Sequence, residues 1–182
     1  MRWVAVLVLL ASFAAAQAAP PQASPEPKAN PADVKSMDSI LAALYDVISG
    51  PAGQKRDWDR FRSLFLPGAR LIPTGTRPTG ETSARVLTPE DYIARSAPFL
   101  EKEGFFEREI ARHVDQYGHI TQVFSTYESR HKAGESPFAR GINSIQLVND
   151  GQRWWIVTIL WEGETPGTPI PKEYLLGGKP IH

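Results

Sequence analysis

Apolar residues recur at helical spacing from Val34 to Leu100 and at strand spacing from Phe105 to Trp161, so the period changes from 3.6 to 2 close to Gly104. In the helical part, Asn30 is placed to cap a helix, with Pro31 at its first position and Asp33 at its third. Val34, Met37, Leu41, Leu44 and Ile48 form its stripe, and Ser49-Gly50-Pro51 stops it. A second, shorter helix follows Asp57, with Trp58, Phe61, Leu64 and Phe65 on one side and an end at Pro67-Gly68. A third opens at Thr88-Pro89-Glu90-Asp91, runs through Tyr92, Ile93, Ser96, Phe99 and Leu100, and closes at Glu103-Gly104.

The alternating part predicts four long antiparallel strands, 105–117, 119–131, 138–149 and 152–161, with turns at Gly118 and Asp150-Gly151. Short strands are expected over 69–72 and 84–87, and 73–83 reads as a loop. Helices first and a meander second make an α+β layer, in which the helices cover one apolar face of the sheet. Strict alternation puts Trp155, Val157, Ile159 and Trp161 on one face of the last strand and Trp154, Ile156, Thr158 and Leu160 on the other. Two apolar faces need two covers. A second copy of the chain is the expected second cover, giving a homodimer through the sheet; the C-terminal tail folding over that face is the monomeric alternative.

The ends have another character. Arg2, the apolar ten-residue stretch 4–13, interrupted by Ser12 alone, and Ala16-Gln17-Ala18 make a cleavable export signal, with the cut after Ala18. Ten helical residues reach only ~15 Å, about half of a bilayer core. The mature protein is therefore expected in the periplasm or the medium, with no membrane attachment after cleavage. Residues 19–31 form a proline-rich leader without a large apolar side chain, read as a flexible tether. Residues 163–182 are again rich in Pro and Gly, although Tyr174, Leu175 and Leu176 can dock. One folded domain is left over 32–162.

Composition narrows the chemistry. The chain has 182 residues, with 20 Lys and Arg balancing 20 Asp and Glu, and no cysteine, which excludes disulfides, thiolate zinc sites and a lipidated cysteine. Neutrality also argues against nucleic acid as a partner. No His pair has metal-ligand spacing, so neither metal nor other cofactor is expected. The pocket candidates are Tyr45, His113, Tyr127, Asn143 and Trp161. Tyr45 faces the core side of the first helix, where its hydroxyl needs a partner, either structural or a ligand. His113 shares a strand side with Asp115 and is either a proton-transfer group or a solvent-facing histidine. His119 falls in a turn and His131 at a strand end. Ser125, Tyr127 and Ser129 alternate on one side of their strand. Asn143 sits among Ile145 and Leu147 and must be satisfied by Tyr127, a water or a ligand. Glu107, Arg108, Glu109, Arg112, Glu128 and Arg130 read as cross-strand pairs on a wet surface.

The run Leu41-Ala42-Ala43-Leu44-Tyr45, the Trp58-x-x-Phe61-x-x-Leu64-Phe65 helix followed by Gly68-Ala69-Arg70-Leu71, and the closing Arg153-Trp154-Trp155-Ile156-Val157 resemble the nuclear transport factor 2-like superfamily. Ketosteroid-isomerase-like and polyketide-cyclase-like proteins belong to it. The resemblance spans 32–162. It implies a strongly curved antiparallel sheet wrapped around three helices, a cystatin-like cone with a pocket at its open end. In ketosteroid isomerases a tyrosine at the place of Tyr45 donates to the substrate oxyanion, and a carboxylate base precedes a proline. Here that segment reads Leu71-Ile72-Pro73, and an isoleucine cannot abstract a proton. The expected function is thus an exported small-molecule-binding or accessory domain without turnover. The alternative is an isomerase, dehydratase or cyclase acting on a small apolar carbonyl compound, with Tyr45 polarising the carbonyl and His113 or Asp115 moving the proton. A cone filled by its own side chains would leave a purely structural role.

Overall fold

The computed structural model describes residues 27–76 and 79–176. The export signal, most of the proline-rich leader and residues 177–182 of the tail lie outside the described residues.

Four helices and six strands follow in the order α1 (Pro31–Val34), α2 (Met37–Ile48), α3 (Trp58–Ser63), β1 (Phe65–Thr76), β2 (Thr82–Ala84), α4 (Pro89–Glu103), β3 (Phe106–Tyr117), β4 (Ile120–Arg130), β5 (Ala139–Asn149) and β6 (Trp154–Gly163). The first predicted helix is two helices. Asn30 does cap α1, but Ser36 is extended, and its Oγ accepts from the Ser39 amide at 3.1 Å to start α2 afresh. Helix α4 carries the full capping box, Thr88 and Asp91 each bonding the other's backbone N–H.

The sheet order is β2-β1-β6-β5-β4-β3. The long strands β3 to β6 form the expected antiparallel meander, whereas β1 joins β6 in parallel. Strand β1 is longer than the predicted 69–72. Pro67 and Gly68 do not end a helix; they lie in a register irregularity inside the strand. The predicted loop 73–83 is also partly strand, because Thr74, Gly75 and Thr76 pair with Ala84, Ser83 and Thr82. The core lies between helices and sheet, where Ile40, Leu41, Phe61 and Leu64 meet Val123, Ile145, Leu147 and Ile156. Burying side chains of this size contributes about 1.5–3 kcal/mol each, which is what holds a curved sheet against short helices.

Two bulges decide which residues face the helices. In β3, Glu109 lies opposite Tyr127 and Ala111 opposite Thr126, so Ile110 is an extra residue and the alternation changes phase there. Glu107, Glu109, Arg112 and Val114 are thereby aligned with the buried row Ser129, Tyr127, Ser125 and Val123. His113 and Asp115 pair with Phe124 and Gln122 on the outer face. In β6, Val157 is the extra residue, so Trp154, Ile156, Ile159 and Trp161 turn inward together. This corrects the strict alternation expected for the last strand.

The C-terminal segment crosses the outer face. Ile170 is buried, Thr126 donates from Oγ1 to the Tyr174 carbonyl at 2.6 Å, and the Tyr174 ring packs on Phe124 with centroids 5.5 Å apart. Tyr117 and Ile120, at the far end of that face, remain exposed. At the opposite end of the domain, the buried Arg56 ties the helix ends together. Its guanidinium donates to the carbonyls of Ile48 (2.9 Å) and Leu100 (3.0 Å), in the last turns of α2 and α4, and of Gly50 (2.7 Å) and Gln54 (2.5 Å) in the loop that follows α2.

Candidate functional site

The cone is not filled. A half-open cavity of about 370 Å³ lies between α2, α4 and the inner face of β3 to β6. Its middle is apolar, with Leu44, Ile48, Phe61, Leu71, Leu100, Phe105 and Ile159 in the wall. Tyr92 stacks on Phe61 at 5.3 Å between ring centroids and meets the edge of Trp161 at 6.3 Å. Aromatic packing of this kind fixes the shape of the cavity better than aliphatic chains of equal area.

The polar lining comes from α2 and α4 as well as from the sheet. Tyr45, Tyr127, Asn143 and Trp161 all line the cavity, so four of the five candidates from the sequence come together there. His113 does not. The bulge at Ile110 turns it outward, and its Nε2 lies 3.3 Å from Asp115 Oδ2 on the other side of the sheet. His119 stays in its turn, and the His131 ring stacks on Phe138 at 4.2 Å.

Tyr45 is fully committed. Asn143 Nδ2 donates to its oxygen at 3.1 Å, the hydroxyl lies 2.7 Å from Ser125 Oγ, and Ser125 donates in turn to Glu109. Glu109 also accepts from Arg112 Nε at 2.5 Å, and Arg112 reaches Asp38 at the start of α2 at 2.5 Å. This is a relay with one direction, from an amide through two hydroxyls to a carboxylate held by an arginine, and every buried polar atom in it is satisfied. Burial first, and then the charge of Glu107, push the Tyr45 phenol far above its ordinary value, so it stays protonated. The partner of Asn143 is Tyr45, not Tyr127.

Tyr127 is different. Among the described residues its hydroxyl has no hydrogen-bond partner, although the residue is buried. Its ring passes directly over Gly141, where a Cβ would come within 2.4 Å of the hydroxyl, so glycine is required at that position for the ring to lie as it does. Burial and Glu107 raise this phenol too. The wall of the cavity thus presents a hydroxyl with no hydrogen-bond partner among the described residues.

Glu107 is the residue that sequence reasoning missed. Its carboxyl lines the cavity, accepts from Ser129 Oγ at 2.9 Å, and is pushed up to about 7 by burial, against the opposing hydrogen bonds of Ser129 and Asn143. Of the expected surface charges, Glu109 and Arg112 also turn toward the helices. Arg108, Glu128 and Arg130 form the expected outer cluster, Glu128 taking both arginines at 2.5 and 2.6 Å. A hairpin closing at Gly118 sets Glu107 opposite Ser129, in the row of Ser125 and Tyr127; that register was the signal available in the sequence. Ser49 fixes the strand start, its Oγ accepting from the Glu107 amide at 3.0 Å. Among the described residues, no three His, Cys, Asp or Glu side chains converge as a metal ion would require.

An α+β cone with an open, aromatic cavity on the inner face of its sheet defines the class. The architecture is that of the nuclear transport factor 2-like proteins, the cystatin-like fold that the sequence resembles. Among solved structures the chain is similar to a protein of unknown function with a cystatin-like fold from Nostoc punctiforme, at 9% identity and a TM-score of 0.54 over 71% of this chain and 90% of that one. It is also similar to a protein of Kribbella flavida, at 13% identity and a TM-score of 0.52 over 70% and 88%. An NTF-2-like protein of unknown function from Silicibacter pomeroyi matches over 71% and 94% at 14% identity, with a TM-score of 0.49. Identities this low make the likeness one of fold. No family model and no curated protein matches the chain in sequence.

Proposed function

We propose that this is an exported small-molecule-binding domain, whose cavity takes a compact apolar compound bearing a hydroxyl or carbonyl oxygen. One observation carries the reading: Tyr127 presents an unpartnered hydroxyl to an aromatic cavity in which Tyr45, contributed by α2, is already engaged. A ligand oxygen that bonds this cavity-facing hydroxyl adds about 0.5–1.5 kcal/mol of affinity. Export rests on the N-terminal pattern alone. Pairing of two copies is proposed through the part of the outer face that the C-terminal segment leaves open, around Tyr117 and Ile120.

Trp161 in the wall is a reporter for the test. Naphthol is expected to change its fluorescence saturably and to bind roughly fivefold more tightly than naphthalene, about one hydrogen bond's worth. Tyr127→Phe is expected to erase that preference while leaving naphthalene binding in place. Absence of saturable binding, or an unchanged preference in the variant, overturns the reading.

Acid–base turnover is the second reading, and Glu107 favours it. A carboxyl that titrates near neutrality beside a phenol has the matched proton affinity that abstraction next to a carbonyl needs. His113 and Asp115 have no part in it. Deuterium exchange at the carbon next to the carbonyl of tetralone, followed by NMR, tests this: exchange above the buffer rate that vanishes in Glu107→Gln supports turnover, and exchange at the buffer rate excludes it for this probe.

A further inference from the structure

The cavity opens onto a groove, and the two differ in charge. The groove runs under the β1–β2 ribbon and shares Tyr92, Arg95, Ser96 and Trp161 with the cavity mouth. Two guanidinium groups line it, Arg85 after β2 and Arg95 from the middle of α4. Neither side chain makes a hydrogen bond or an ion pair among the described residues, and no residue lining the groove is acidic. The carboxylates nearby are committed. Asp91, which acts on Arg95 through space, is held by both the amide and the hydroxyl of Thr88 in the capping box. Glu162 takes the Thr74 hydroxyl at 3.4 Å.

Other arginines at the surface are paired: Arg62, Arg108 and Arg140 all meet carboxylates within 3 Å. Two unpaired ones lie on a single groove, continuous with an apolar cavity in which Glu107 is the one lining carboxyl among the described residues, so the mouth is cationic. Guanidinium is the group best matched to a planar carboxylate, which it binds through two parallel hydrogen bonds. Resting on the binding function proposed above, we propose that the natural ligand is a hydroxy or oxo carboxylic acid: its apolar body fills the cavity, its neutral oxygen reaches Tyr127, and its carboxylate leaves through the mouth to Arg85 and Arg95.

Hydroxynaphthoic acid and its methyl ester share a skeleton and differ in that one charge. The acid is expected to bind roughly five- to tenfold more tightly than the ester at low salt, as befits an exposed but bidentate charge contact. The preference shrinks as salt approaches ~1 M, where the screening length falls to about 3 Å. In the double variant Arg85→Gln, Arg95→Gln the ratio of acid to ester affinity falls to about one; both arginines are exposed, so the fold survives. Equal binding of acid and ester to the unaltered protein overturns the proposal while leaving the cavity's function standing, as does an acid preference that survives in the double variant. Binding of neither probe overturns both.

Discussion

Replacing Glu107 by glutamine isolates the one carboxyl inside the cavity without changing its shape. An unfolded glutamate titrates near 4.5, and this one is pushed up to about 7 in the folded protein by burial. The folded state therefore holds the proton more tightly than the unfolded chain. Wild-type stability is undiminished by this group below pH 4.5, declines as pH rises toward 7, and is level again above that. Each pH unit inside the window is worth about 1.4 kcal/mol, so the full loss is about 3 kcal/mol. Glutamine keeps the size and the contact to Ser129 but cannot ionise. In urea titrations followed by tryptophan fluorescence, the variant should match the wild type at pH 4 to within about 0.5 kcal/mol. At pH 8 it should be more stable by about 3 kcal/mol. The three tyrosines of the cavity stay protonated throughout this range, so they contribute nothing to the difference. A gap between variant and wild type that is constant from pH 4 to pH 8 refutes the placement of the carboxyl; a variant that loses stability as pH rises refutes its sign.

Arg56→Met should lower the unfolding free energy by about 3–5 kcal/mol in the same assay, because it strips two helix-end carbonyls, of Ile48 and Leu100, and two loop carbonyls, of Gly50 and Gln54, of a charged donor; Arg56→Lys should recover part of that loss. A chain ending at Gly163 uncovers Phe124, Ile142 and Leu160, so light scattering should show stronger self-association than for the full-length chain at equal concentration. N-terminal sequencing of protein recovered outside the cytoplasm should begin at Ala19; a sequence beginning at Met1 removes the export reading.

What could be read from the residues was whatever is fixed locally. Thr88 and Asp91 announce α4 through two hydrogen bonds spanning three residues, and the hairpins close at Gly118 and Gly151, both with positive φ. The missed features depend on partners far along the chain. Ser36 is hidden as a cap because Val34 and Met37 continue one apolar stripe across it. The parallel pairing of β1 with β6 joins residues some ninety apart, with nothing in either strand to declare its direction. Around Ile110 the sequence is compatible with either phase, and only the pairing with β4 shows that one residue is unmatched. His113 was placed on the correct side relative to Asp115, yet that side proved to be the outer one. Glu107 was lost for the related reason that a charge between Phe106 and Arg108 looks like surface until the residue across from it is known.

That unmatched isoleucine marks a choice between two registers. Losing its codon would only straighten the strand and leave Arg112 opposite Ser125, but a slip that drew Ile110 into the ladder opposite Thr126 would set His113 opposite Val123 on the inner face and Arg112 opposite Phe124 on the outer one, exchanging a guanidinium for an imidazole on the inner face. Which of the two groups faces the helices is thus decided by the register of one strand, with no substitution at either position.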